Sequence, residues 1–208
     1  MFDFETLKAT MKSGRGAEVC KQVESLLAEG APAKDILEQG LLASMGEIGQ
    51  KFKLNQVFVP EVLIAARAMK AGMTVLKPHL IEAGVQAVAT AVMGTVKGDL
   101  HDIGKNLVIM MLEGAGFAVV DAGVDVTPEK FVALAKEHNA QIVGLSALLT
   151  TTMPSMKNAV AAIRTAGLSA KVMIGGAPVT QAYCDAIGAD GYSPDAASAA
   201  ELAKSLIA

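Results

Sequence analysis

"VATAVMGTV" occupies residues 88–96, and the period of the sequence changes there. Upstream, apolar residues return every three or four positions, as on one face of a helix. In this run they are nearly continuous, over a length that suits a strand buried on both faces. Four further short runs of the same kind follow: "FAVVDAG" (117–123), "QIVGLSAL" (141–148), "KVMIGGA" (171–177) and the brief "DGYS" (190–193). Patterns of helix length separate them. One opens on Thr127-Pro128, an N-cap residue followed by proline in the first turn. The alternation predicts an α/β fold: a flavodoxin-like, Rossmann-like, doubly wound sheet of five parallel strands over residues 89–208.

Residues 1–86 read as an N-terminal helical bundle of four or so helices. Val62, Ala66, Met69, Met73, Leu76 and Leu80 draw one apolar stripe, and Leu37, Leu41, Met45, Ile48 and Phe52 draw another. "AEVCKQVESLLAEG" (17–30) is a further amphipathic stretch. Gly30 with Pro32, and residues 55–60, punctuate the helices, and Pro78 is expected to break or kink the last one.

Composition narrows the class. The 208 residues are 52% hydrophobic, yet the longest uncharged run, 138–156, contains His138, Asn139, Gln141 and Pro154, so no spanning segment is expected. The N-terminus carries acids early and has no basic stretch leading into an apolar run, which speaks against a signal peptide and for a cytoplasmic location. Net charge is −3, only Arg15, Arg67 and Arg164 are arginines, and tryptophan is absent, which argues against nucleic acid as a partner. Cys20 and Cys184 form no C-x-x-C pair and read as small buried hydrophobes.

The unusual residues fall where strands end. In a doubly wound sheet, ligands sit outside the carboxyl ends of the strands, where strand order reverses. "VKGDLHDIGKN" (96–106) follows the first strand, "SALLTTT" (146–152) the third, "GGAP" (175–178) the fourth and "YSPDAAS" (192–198) the fifth. In an extended segment Asp99 and His101 point the same way. A carboxylate on the Nδ1 proton then leaves the Nε2 lone pair aimed outward, as in a prepared metal ligand. No other good ligand lies nearby, so a metal here must bring most of its own coordination sphere, as one held in a tetrapyrrole-type ring does. Asp102 is placed to cap the next helix, and Lys97 and Lys105 read as solvated charges. Simpler readings stand beside these. A lone surface histidine is usually only solvated, methionines at helical spacing are usually core, and paired glycines also simply end strands.

Asp99-Leu100-His101 with Gly104 is D-x-H-x-x-G; Ser146-Ala147-Leu148 is S-x-L; Gly175-Gly176 completes the series. In order and spacing these resemble the cobalamin-binding module of methionine synthase and of the corrinoid proteins of methyltransferase systems. "VFVPEVLIAARAMKAGM" (57–73) is similar to the helical cap of that family. The resemblance implies a cobalamin or related corrinoid cofactor, with His101 as the lower cobalt ligand and Asp99 holding its imidazole. It implies a polar relay completed by Thr152, where methionine synthase has serine. Gly98, Leu100, Asp102, Ile103 and Gly104 join the implied cofactor contacts, and Ser146, Leu148, Thr150, Gly175, Gly176 and Ala196 would line the slot for the nucleotide tail. Phe58 and Met69 match the cap's packing face.

The function this implies is methyl carriage between a substrate-specific methyltransferase (for methanol, methylamines or methoxylated aromatics) and a second one acting on a tetrahydrofolate-type pterin or a thiol. A reductive activase would serve as a further partner, and the chain is not expected to turn over alone. Alternatives are a cobalamin-dependent mutase subunit, a cobalamin sensor and a plain flavodoxin-like response module. The first normally lacks such a cap, the second carries a basic DNA-reading module, and the third leaves His101 without a role.

Overall fold

Asp3 opens the first helix, α1 (Phe4–Lys12), by accepting the Thr6 N–H at 3.0 Å, the capping role a short carboxylate suits. A computed structural model describes residues 2–208. These divide into two units, one ending at Ala87 and the other beginning at Val88.

The first unit continues with α2 (Gly16–Ala28) and α3 (Ala33–Asp35). The latter runs on through a π-helical stretch, Ile36–Leu42, into α4 (Ala43–Lys53), and α5 (Val59–Glu82) closes the unit. The π stretch corrects the expected stripe. Its i→i+5 bonds widen the turn, so burial passes from Ile36 to Leu41 and only then in helical steps to Met45 and Ile48. Leu37 and Phe52 are left partly exposed. Pro78 does not end its helix, which runs on to Glu82. The ring removes one N–H donor, but Leu76 and Leu80 on either side are both buried, and that packing holds the last turns together.

The second unit is a five-stranded parallel sheet in the order β2-β1-β3-β4-β5. Its strands are β1 (Thr90–Val96), β2 (Ala118–Val126), β3 (Ile142–Ser146), β4 (Lys171–Gly175) and β5 (Gly191–Tyr192). Between and after them come α6 (Ile103–Gly114), α7 (Pro128–Glu137), α8 (Met153–Thr165), α9 (Gln181–Ile187) and α10 (Ala196–Ile207). Thr127 caps α7 as expected, its hydroxyl accepting the Lys130 N–H at 3.3 Å. Helices α7 and α8 pack side by side, as do α6 and α10. Val92, Val143 and Val172 meet Phe131, Met156 and Ile163 in the core. Phe131, fully buried, contributes about 2–3 kcal/mol by leaving water.

Two details position the site. Strand order reverses between β1 and β3, so the crevice lies at their carboxyl ends. Edge strand β2 runs three residues past the run seen in sequence, to Val126, with register shifts opposite Met93–Gly94 and Gly94–Val96. Such irregularities re-aim the end of a strand. Among the described residues, no helix is long and apolar enough to cross a membrane.

Candidate functional site

Past β1 the chain must turn sharply, and Gly98 does so at φ +86°, where side chains are strained. Asp99 N–H returns to Val96 O at 3.1 Å. The hydroxyl of Thr95, at the strand's end, donates to His101 O at 2.8 Å, drawing the loop back over β1.

Asp99 is the hub of this loop. Its side chain is 0% exposed, and both oxygens are saturated. Oδ1 accepts the His101 backbone N–H at 3.1 Å and lies 2.7 Å from His101 Nδ1. Oδ2 accepts the N–H groups of Leu148 and Leu149, at 2.8 and 3.3 Å, and the Thr152 hydroxyl at 2.8 Å. Burial, the largest single influence, pushes the carboxyl up. The donors from His101, Leu148 and Thr152 together outweigh it and hold Asp99 well below the usual carboxylate range. An ionised carboxylate only accepts, so Nδ1 carries the imidazole proton and Nε2 carries the lone pair. The ring is half exposed.

Around it the rim is open and apolar. Leu100 is 71% and Ile103 79% exposed, and Leu148 and Leu149 are also uncovered. A Cβ added to Gly104 would meet nothing within 4 Å. Ser146 pairs across the sheet with Gly175. At Gly176 (φ +130°) an added Cβ would lie 1.9 Å from Ala147 O. Only glycine lets these two turns touch. Thr150 is exposed beside Leu149, and Ala196 is buried in the first turn of α10.

Several expected roles change. Asp102 stands at the N-cap of α6 but makes no capping bond: its φ of −121° and ψ of −15° turn the carboxylate aside, where it accepts the Asn106 amide at 3.1 Å. Lys105 is not solvated. It is 2% exposed and donates to Asp121 Oδ1 at 2.6 Å and Asn106 Oδ1 at 2.8 Å. Cys20 is only partly buried, while Cys184 is buried as expected. In the helical unit Phe58 is 62% exposed and Met69 is buried. Leu149, Asp121 and Asp125 escape the sequence reading. The doubled leucine within "SALLTTT" was the available signal for the first; the close spacing of Gly123 and Asp125 after an apolar run was the signal for the last.

Comparisons with known proteins give the family. A family model described as a B12 binding domain matches residues 89–201, and a second B12 binding domain model matches residues 4–77. The chain belongs to the B12-binding corrinoid proteins. It is 45% identical over 202 residues to dimethylamine corrinoid protein 1 of Methanosarcina acetivorans, covering 93% of this chain and 95% of that protein. It is 37% identical over 208 residues to a corrinoid protein of Desulfitobacterium hafniense, covering 98% and 96%. Among solved structures, the methanol:cobalamin methyltransferase complex of Methanosarcina barkeri matches with a TM-score of 0.87 at 27% identity, over 97% of this chain and 78% of that one. A cobalamin-binding protein of D. hafniense matches with a TM-score of 0.81 at 32% identity, over the whole of both chains.

The cofactor of this B12-binding protein is cobalamin or a related corrinoid, and its residues fit such a group. Among the described residues, no cluster of three or more His, Cys, Asp or Glu side chains could cage a bare ion. One outward imidazole among exposed leucines and an isoleucine suits a metal that arrives inside a flat, largely apolar ring.

Proposed function

We propose that this chain is a corrinoid methyl carrier in which His101 Nε2 is the lower ligand of the cobalt. One observation carries the proposal: a buried, fully hydrogen-bonded Asp99 fixes the tautomer of a half-exposed His101 at the switch point of the sheet. When bound, the corrinoid supplies a cobalt that takes a methyl group from one substrate and passes it to another.

The chain's own residues do the rest. Asp99 orients the ring and keeps the proton on Nδ1, so that Nε2 is always presented as a lone pair. Thr152, whose hydroxyl donates to the far oxygen of Asp99, holds the carboxylate in the orientation this needs. Its branched side chain has few rotamers, and its oxygen is also 2.8 Å from Leu149 O. The loop residues Gly98, Leu100, Asp102, Ile103 and Gly104 would hold the ring, and Ser146, Leu148, Thr150, Gly175, Gly176 and Ala196 would receive the tail. Of the helical unit's two residues that the resemblance implies, Phe58 is exposed and Met69 is buried.

Partners follow from the chemistry. One methyltransferase loads the carrier, a second delivers the group to a pterin or a thiol, and a reductive activase restores oxidised cobalt, all in the cytoplasm. Similarity to dimethylamine corrinoid proteins favours a methylamine donor over methanol or a methoxylated aromatic.

Hydroxocobalamin added anaerobically should give a coloured, stoichiometric complex. The electron paramagnetic resonance spectrum of its cobalt(II) form should show coupling to one nitrogen, and His101→Ala should lose that coupling. A spectrum unchanged in the variant would overturn the assignment.

A further inference from the structure

Asp125 belongs to none of the motifs, yet the structure joins it to the histidine loop at two points. Its Oδ1 accepts the Gly98 N–H at 2.7 Å. Its own N–H donates to Asp99 O at 3.0 Å. Asp125 makes these bonds with φ at +52°, a left-handed conformation in which Asp and Asn are the best tolerated residues after glycine. Gly98, its partner, is also left-handed. One bond accepted from Gly98 and one donated to Asp99 make Asp125 a clasp between the end of β2 and the start of the loop.

The clasp acts on the residue that matters most. The main chain of Asp99 is held from one side by Asp125. Its carboxylate is held from the other side by the Leu148 and Leu149 amides and the Thr152 hydroxyl, all after β3. With both ends fixed, Oδ1 has one position, and that position is 2.7 Å from His101 Nδ1. Asp121, also on β2, secures the other end of the loop through Lys105, while its Oδ1 accepts the Gly123 N–H at 2.9 Å. The irregular end of β2 thus braces the loop fore and aft.

We infer that Asp125 is a positioning residue for His101: its clasp with Gly98 and Asp99 sets the Asp99 carboxylate where it can hold the imidazole. The consequence for cobalt ligation rests on the methyl-carrier reading above; the clasp itself does not. Two variants separate its parts. Asp125→Gly keeps the left-handed backbone but removes the acceptor, and Asp125→Asn keeps an acceptor and tolerates that backbone.

Amide exchange, read by nuclear magnetic resonance on the cofactor-free protein, tests the clasp directly. In Asp125→Gly the Gly98 amide should exchange at least tenfold faster. The Leu148 amide, which touches Asp99 and not Asp125, should also speed up several-fold. Asp125→Asn should restore both to within about twofold. On the cobalamin-loaded protein, Asp125→Gly should lower the nitrogen-coupled fraction of the cobalt(II) spectrum several-fold, with Asp125→Asn again restoring it. A Leu148 amide that exchanges as in the unaltered protein would reduce Asp125 to a local turn residue and overturn the inference. Failure of Asp125→Asn to restore protection would overturn it too. Absence of nitrogen coupling in the unaltered protein would refute the carrier reading while leaving the exchange arm to decide the clasp.

Discussion

The loop after β1 and the turn after β4 occupy the same rim and are specified in opposite ways. Residues 98–104 work through what a side chain supplies: one carboxylate, Asp99, gathers donors from its own loop and from the chain after β3. Residues 175–176 work through what is missing, because any side chain at Gly176 would strike Ala147 O. A polar hub tolerates change so long as its hydrogen bonds survive. A backbone contact tolerates none. Substitutions on the two loops should therefore differ in kind as well as in size.

The largest effect is expected at the turn. Gly176→Val combines a strained backbone with an unavoidable clash, for a loss of roughly 4 kcal/mol, read as a fall in the urea midpoint at unchanged slope. A midpoint within experimental error of the unaltered protein would break the contrast. Next comes the hub. Asp99→Ala strands the Leu148 amide and leaves the Thr152 hydroxyl with Leu149 O alone, at a cost of roughly 3 kcal/mol, read as a fall in the urea midpoint.

Asp99 also gives the contrast a pH signature. Its carboxyl is depressed in the folded protein, so the stability it contributes is complete above the unfolded value of about 4. That contribution is lost progressively as pH falls below this value. Urea midpoints of the cofactor-free protein between pH 6 and pH 2.5 should show a steeper acid decline than those of Asp99→Asn. Parallel curves would count against the hydrogen-bonded hub.

Two smaller tests sharpen the picture. Lys105→Met keeps the length of a buried side chain but deletes its bonds to Asp121 and Asn106. Asp121 is half exposed and stays hydrated, so the loss should be only about 1–2 kcal/mol. Thr152→Ser retains the hydroxyl on Asp99 and removes one buried methyl, for less than about 1 kcal/mol. A larger penalty would mean that the methyl, and not the hydroxyl, is what places the carboxylate.

Sequence alone carried much of this. Strands β1, β3 and β4 were legible because parallel strands buried on both faces leave unbroken apolar runs, and the site was legible because its oddities all follow strand ends. What stayed hidden has a physical pattern. The π-helical turn at Ile36–Leu42 moves burial by one residue without any compositional mark. Lys105 reads as a surface charge until its partner on another strand is known. Asp102 sits where a cap should, and only the backbone angles show that its carboxylate turns away. Asp125 lies 26 residues past Asp99 (125 − 99), and its close spacing to Gly123 marks a turn without revealing that the Asp125 and Asp99 main chains meet. Local propensity and pattern are written into neighbouring residues; long-range polar pairing is not.

The contact at Gly176 has a consequence for how such a rim can vary over evolutionary time. The separation between the two turns is dictated by peptide atoms, and no exchange of surrounding side chains can widen or narrow it. Diversification of this rim is thereby left to exposed side chains such as Leu100, Ile103, Leu148 and Leu149, while the approach of the Gly176 turn to Ala147 stays fixed.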